Sequence, residues 1–350
     1  MFDTLYEHTD QIEMFRRSLR RGRLSHAYLL VGPAGIGKMK FGRLIATSLF
    51  CTRFADDELN ACGECDNCRR MLARTYPDYI EVGCPEGKSE IPIEAFVGSI
   101  ERRGREGLCH DLSLKPMAGA RKVAIINDAE CMNAASTNSL LKTLEEPPNG
   151  SLIMLIATNA DAVLPTIQSR CQIIRFNSLS HATISKLLVE QEMVESSEDA
   201  DVVARLCGGS LATATQLLDP AIRSLRTALY TSLADGSKMR PMSLSKQLLE
   251  GIDEIGGDSN TQRVNAGWVI RFAVEFYRQT LRALADESAA VGIPQVADFV
   301  RALPNTARDS SELCMELLER CMQTQTQINM KAPLPLCIEL LATDMAAIQR

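Results

Sequence analysis

One stretch constrains this 350-residue chain more than any other: Val31-Gly32-Pro33-Ala34-Gly35-Ile36-Gly37-Lys38-Met39. An apolar run, Ala27 to Val31, precedes it, and an apolar-periodic segment with Phe41, Leu44, Ile45 and Leu49 follows. Strand, glycine loop and helix in that order predict an α/β phosphate-loop domain, and Gly32 to Lys38 fits G-x-x-x-x-G-K. Gly32, Gly35 and Gly37 let backbone N–H groups approach phosphate oxygens, the helix start adds partial positive charge, and Lys38 would reach the terminal phosphates. The motif then asks for Ser or Thr to ligate Mg²⁺, and this chain has Met39. A thioether is a soft ligand for a hard cation that wants oxygen. The loop suits phosphate better than it suits the metal that hydrolysis needs, so ATP and Mg²⁺ enter as doubtful cofactors.

A second departure lies after the apolar run Val123 to Ile126, where Asn127, Asp128, Ala129 and Glu130 follow. A nucleoside-triphosphatase strand of this kind ends in Asp for Mg²⁺, often with Glu next to position water. Here Asn127 and Asp128 stand at those places, and Glu130 reads as a helix-start acid. Leu152 to Ala157 is a continuous apolar run, as in a strand buried on both faces. It delivers Thr158 and Asn159 to a loop that either senses a γ-phosphate or simply turns. Tyr79–Val82 and Gln172–Phe176 complete the expected parallel strands.

Between the first helix and the second strand come Cys51, Cys62, Cys65 and Cys68, among twelve cysteines in all. Four thiolates with two overlapping C-x-x-C steps suit a closed structural Zn²⁺ site, and Gly63 eases the turn between ligands. A redox dithiol is the alternative, and would need only two of them. The net charge of −6 gives no global basic footprint for nucleic acid. Arg16, Arg17, Arg20, Arg21 and Arg23 concentrate on the amphipathic segment His8–Leu24, either as a solvated face or as an adenine-side or DNA-side contact. With no N-terminal signal pattern and no apolar run near eighteen residues, the expectation is a cytosolic chain.

Ile93, Phe96, Val97 and Ile100 predict a helix closed by Arg102, Arg103 and Arg105. Asn133–Glu146 predicts another, stopped by Pro147-Pro148. Beyond Asn177 the pattern turns helical. A small unit contains Ile184, Leu187 and Val203, Gly208-Gly209-Ser210 interrupts it before Leu211–Leu218, and long segments centre on Leu225–Leu233, Val269–Leu284, Glu312–Met330 and Leu336–Ile348. Glu250–Gln262, with its glycines, serines and acids, reads as a loop.

Together these stretches resemble the clamp-loader ATPase subunits of bacterial DNA polymerase III, within the AAA+ superfamily. The resemblance is carried by His26-Ala27-Tyr28-Leu29 leading into the phosphate loop, the four-cysteine insert, Leu112-Ser113-Leu114-Lys115-Pro116, the run Leu140–Pro148, and Ser169-Arg170-Cys171. It spans residues 8–177 and continues more weakly beyond. It implies an α/β domain followed by all-α parts: an AAA+ domain with its zinc module (1–177), a helical lid (178–222) and a helical collar (223–350). It also implies a five-membered ring with motor (tau/gamma) and delta subunits that places a sliding clamp on primed DNA, with no membrane involved. Motor subunits keep Ser or Thr after the lysine, an Asp-Glu pair and a lid arginine. This chain has Met39, Asn127-Asp128 and Thr213 there, so it resembles the branch that no longer hydrolyses. By the same resemblance Arg170 would enter a neighbour's ATP site as an arginine finger. An active motor and a zinc-dependent nucleic-acid-binding module remain the alternatives.

Overall fold

A computed structural model describes residues 5–85, 88, 90–194, 196–286, 292–303 and 307–349. The chain divides into two compact units, Met1–Ile184 with Gly209–Ala212, and Ser185–Gly208 with Thr213–Arg350.

The first unit is built on a five-stranded sheet: β1 (Ala27–Val31), β2 (Tyr79–Val82), β3 (Lys122–Ile126), β4 (Ser151–Ala157) and β5 (Gln172–Arg175). The order is β2-β3-β4-β1-β5 and every pairing is parallel. A parallel sheet with the phosphate loop leaving its β1 strand is what the sequence predicts. β1 and β3 are buried at every position, which explains their unbroken apolar sequence: helices cover both faces. Val31 lies beside Ala157, and Ile126 beside Leu155. The segments leaving β1, β3 and β4 therefore emerge at one edge of the sheet, where ligands of open α/β sheets bind.

Behind β1, Phe15 packs on Tyr28 (ring centroids 4.5 Å) and Phe41 on Phe176 (5.0 Å). This joins the helices Thr9–Arg20 and Lys38–Phe50 to the end of β5. Gly32 sits where a Cβ would fall 2.4 Å from the carbonyl oxygen of Phe176. The first glycine of the loop is thus required by backbone packing, whatever binds above it.

The predicted helix over Ile93–Arg105 is not continuous. Residues Glu94–Val97 form one turn, and Gly98 stops it at φ +83°. The chain then folds back, with the Gly104 N–H on the Val97 carbonyl (2.8 Å), and Ile100 is left 88% exposed. Apolar spacing alone does not hold a helix across a glycine whose Cβ would meet the Arg102 and Glu106 carbonyls at 2.9 Å.

The second unit is helical throughout its described secondary structure. Its long helices are Pro220–Ala234, Pro241–Ile255, Ser259–Ala285, Ala307–Asn329 and Leu334–Ile348, with the shorter Pro294–Ala302 among them. The predicted loop over Glu250–Gln262 shrinks to Gly256, Gly257 and Asp258. Asp258 caps the next helix by accepting from the Thr261 N–H at 2.8 Å, so an acid expected in a loop serves as a helix start. Phe276 is central to the packing, 5.7 Å from Tyr230 and 5.5 Å from Phe299 between ring centroids. Among the described residues no helix is long and apolar enough to cross a membrane.

Gly32→Ala should lower stability by about 2 kcal/mol, since the clash is with backbone. The shift in denaturation midpoint of the nucleotide-free chain measures it; an unchanged midpoint would contradict this account of Gly32.

Candidate functional site

Lys38 begins the helix after the loop and is 6% exposed. Its ammonium donates to the carbonyls of Gly32 and Pro33, both at 2.6 Å. Two further loop carbonyls are also engaged. Ile36 O pairs with His8 Nε2 at 2.8 Å, and Gly35 O accepts from the Leu211 N–H at 3.0 Å. Gly35 has φ +72°, and a Cβ there would lie 2.4 Å from Ser210 Oγ. Gly37 has φ +98° and forms the left-handed cap of the helix. The loop is thus a backbone structure closed on its own lysine and on Ser210, Leu211 and Ala212 at the start of the helix Leu211–Leu217. Met39 follows, half-buried on the helix.

Burial pulls the Lys38 ammonium below the ordinary lysine range, and the carboxylates of Glu130 and Asp128 pull it back up. Asp128 moves the other way. Burial raises it above the usual carboxylate range, Glu130 adds to that, and Lys38 opposes it. Its left-handed backbone (φ +54°) turns the chain out of β3, and Asn127 Nδ2 donates to Asp128 Oδ2 at 2.9 Å.

Glu130 is the residue that sequence reasoning undervalued. It lies in a 3-10 turn, Ala129–Cys131, and the next helix starts separately at Ala134 under an Asn133 cap. Glu130 Oε1 accepts from both the backbone N–H (3.0 Å) and the hydroxyl (2.7 Å) of Thr158, while Oε2 is buried without a hydrogen-bond partner among the described residues. One carboxylate thus ties the end of β4 to the end of β3 beside Lys38. Only the D-x-E spacing hinted at this. Asn159 is engaged locally, its side chain accepting from the Asp161 N–H at 3.2 Å. Thr213 lies in the helix Leu211–Leu217 and belongs to the second unit.

Cys51, Cys62, Cys65 and Cys68 come together with all four sulfurs within 4.8 Å of one another. Cys62 and Cys68 sulfurs are 3.9 Å apart, close to the ~3.8 Å edge of a tetrahedron with Zn–S bonds of ~2.3 Å. The Cys65 N–H points at Cys62 Sγ (3.3 Å), the Cys68 N–H at Cys65 Sγ (3.5 Å), and Gly63 at φ +76° makes the turn. Burial pushes the Cys65 thiol up, but donors from Thr52 and Cys68 outweigh it and bring Cys65 down to about 6. Burial together with Cys65 and Cys51 pushes Cys68 up. The donor set fits a tetrahedral metal ion that would relieve this crowding of thiol and thiolate.

Arg170 lies between the short helix Pro165–Gln168 and β5. Because Gln172 pairs with Tyr28 near the start of β1, Arg170 enters the sheet at the edge opposite the phosphate loop. Five residues of strand, about 16 Å, separate the two edges. Its guanidinium binds Glu145 Oε1 at 2.5 Å and the Thr166 carbonyl at 2.8 Å. His26 Nε2 pairs with the Leu144 carbonyl at 3.0 Å in the same run. The stretches that carry the family resemblance therefore converge physically: His26, Leu144-Glu145 and Arg170 are bonded at one edge. In the arginine-rich segment Arg16 and Arg17 both bond Glu13 (3.0 and 3.3 Å), and Arg16 also donates to the Glu58 carbonyl at 3.2 Å.

Residues 7–180 match the family described as "DNA polymerase III, delta subunit". The DNA polymerase III subunit delta′ of Pseudomonas aeruginosa is 34% identical over 209 residues, 59% of this chain and 60% of that one. The delta′ subunit of Bacillus subtilis is 33% identical over 182 residues, 52% of this chain and 51% of its own length. Over residues 7–180 the chain is delta-prime-like. It spans little more than half of these delta′ relatives. The delta-prime-like chain is also similar to the motor line: DNA polymerase III subunit tau of Escherichia coli is 29% identical over 289 residues, 81% of this chain and 40% of that one.

Asp128→Asn should stabilise the chain at about pH 7, where the wild-type carboxylate is charged and desolvated, and the gain should vanish below the carboxylate range at about pH 3. The sign follows from the raised value in the folded state: Asp128 binds its proton more readily folded than unfolded, so its contribution falls as pH rises through that range. Denaturant titration at both pH values checks it; a gain that persists in acid would refute the assignment.

Proposed function

We propose that this chain is a clamp-loader subunit of the DNA polymerase III holoenzyme that does not fire its own nucleotide site but completes a neighbour's. The observation that carries the reading is the place of Arg170. It enters at the sheet edge opposite its own phosphate loop, anchored by Glu145. An arginine so placed serves a phosphate held by another subunit better than one held by its own. Arginine suits that task because its charge is permanent and its fork matches phosphate oxygens. Exchange of the Glu145 carboxylate for a neighbour's γ-phosphate would make it the finger.

The chain's own site supports the same reading. Met39 offers no hard ligand, Asn127 offers no charge, and Glu130 is committed to Thr158. Lys38 is satisfied by loop carbonyls. Residues 1–177 would form the AAA+ domain, 178–222 the lid and 223–350 the collar. The collar would join motor (tau/gamma) and delta subunits in a five-membered ring that places a sliding clamp on primed DNA. A hydrolysing motor is the second reading, favoured by the extent of similarity to the tau subunit of Escherichia coli. Cys51, Cys62, Cys65 and Cys68 would hold one structural Zn²⁺, which when bound neutralises the thiolates and fixes the insert.

The chain alone should show negligible ATP hydrolysis. Mg²⁺-dependent turnover abolished by Lys38→Ala would instead establish the motor reading. In a complex with motor and delta subunits, Arg170→Ala should leave assembly intact and lower clamp- and DNA-stimulated hydrolysis by about 10³–10⁵; equal hydrolysis with the variant would remove Arg170 from the role. Metal analysis should give about one zinc per chain, lost in Cys65→Ser together with thermal stability.

A further inference from the structure

The second unit holds a cavity of about 180 Å³ unrelated to the phosphate loop. Arg205 and Arg226 line it with Tyr230, over apolar walls that include Leu206 and Ile293. Its polar groups are out of balance. Among the described residues Arg226 Nη1 is buried without a hydrogen-bond partner, and the hydroxyl of Tyr230, a residue 5% exposed, is likewise unpartnered. Gln279 does not repair this: its Nε2 donates to Glu275 and its Oε1 accepts from the Ile293 N–H at 3.1 Å. Arg205 lies against Gly292, where a Cβ would fall 3.0 Å from its Nη1. Two guanidinium groups thus border the same small space.

A guanidinium nitrogen cut off from both water and acceptors is costly, and the cost falls sharply when an anion is supplied. Burial pulls the Arg226 guanidinium down, and Arg223 adds to that. The apolar walls argue against a fully hydrated inorganic ion. A cavity of about 150 Å³ accepts benzene, so this space takes a small apolar body bearing one anionic group.

We propose that the cavity between Arg205, Arg226 and Tyr230 is a binding site for a small organic monocarboxylate, its carboxylate held by the two guanidinium groups and its apolar body against Leu206 and Ile293. The site lies within the second unit, and the proposal is independent of the clamp-loader reading.

Titration calorimetry of the full chain with benzoate, benzyl alcohol and inorganic phosphate at fixed ionic strength tests it. Benzoate should bind saturably and at least about tenfold more tightly than benzyl alcohol or phosphate, the difference expected for one charge-assisted hydrogen bond. Arg226→Gln and the exposed-residue variant Arg205→Gln should each weaken benzoate about tenfold. Tyr230→Phe keeps the ring packed on Phe276 and should weaken it severalfold, so a poorly folded Arg226 variant would not leave the question open. Absence of saturable binding would overturn the site. Equal affinity for benzyl alcohol would reduce it to an apolar cavity, tighter phosphate would overturn the carboxylate assignment, and unchanged affinity in folded Arg226→Gln and Arg205→Gln would remove the arginines from it.

Discussion

The burial of one ammonium group organises the α/β unit. Lys38 has three protons to place in a site 6% exposed, and the Gly32 and Pro33 carbonyls take two of them at 2.6 Å. The loop must wrap tightly for those carbonyls to converge, and that curvature uses the positive φ of Gly35 and Gly37, while the missing Cβ of Gly32 lets the loop lie against the Phe176 carbonyl. The remaining charge is balanced at longer range by Asp128 and Glu130, which leave the end of β3. The phosphate loop, the end of β3 and the end of β4 are thereby tied into one electrostatic unit by a lysine and a glutamate.

Two groups of that unit, Lys38 and Glu130, are already bonded within the protein, to the loop carbonyls and to Thr158. A hydrolysing site needs a carboxylate free to orient water and a hard oxygen for Mg²⁺. Here Glu130 spends one oxygen on Thr158, Asp128 is desolvated, and the helix offers Met39. The opposite edge of the sheet is better provided. His26, Leu144, Glu145 and Arg170 form a bonded cluster there, with Arg170 still partly open to solvent. A single sheet thus holds the phosphate loop at one edge and Arg170, bonded to Glu145, at the other.

The strands were legible because a parallel sheet buried on both faces demands continuous apolar runs; β1 runs Ala27–Val31 as the sequence indicates, and β5 ends one residue earlier than expected, at Arg175. The helical half was harder. Apolar periodicity found Leu334–Ile348 and most of Ser259–Ala285, but it read acids and glycines around residue 255 as a loop. Helix caps use the same residue types as loops, so composition could not separate Asp258 the cap from Asp258 the loop residue. The opposite error occurred at Gly98, where correct apolar spacing spans a position that only a turn can occupy.

By itself the sequence determined the chemistry available: a phosphate loop without its magnesium ligand, four thiols at metal spacing and one arginine in a specific setting. Those follow from residue type and local spacing. Only the tertiary structure decided which groups meet. It joined Glu130 to Thr158, brought four sulfurs within 4.8 Å, and put Arg170 on Glu145 across the sheet from Lys38. It also brought Arg205 and Arg226 to the same cavity. Apart from the sulfurs, whose spacing already announced them, these are contacts between residues distant in the chain, fixed by strand register and helix packing, and no local pattern encodes them.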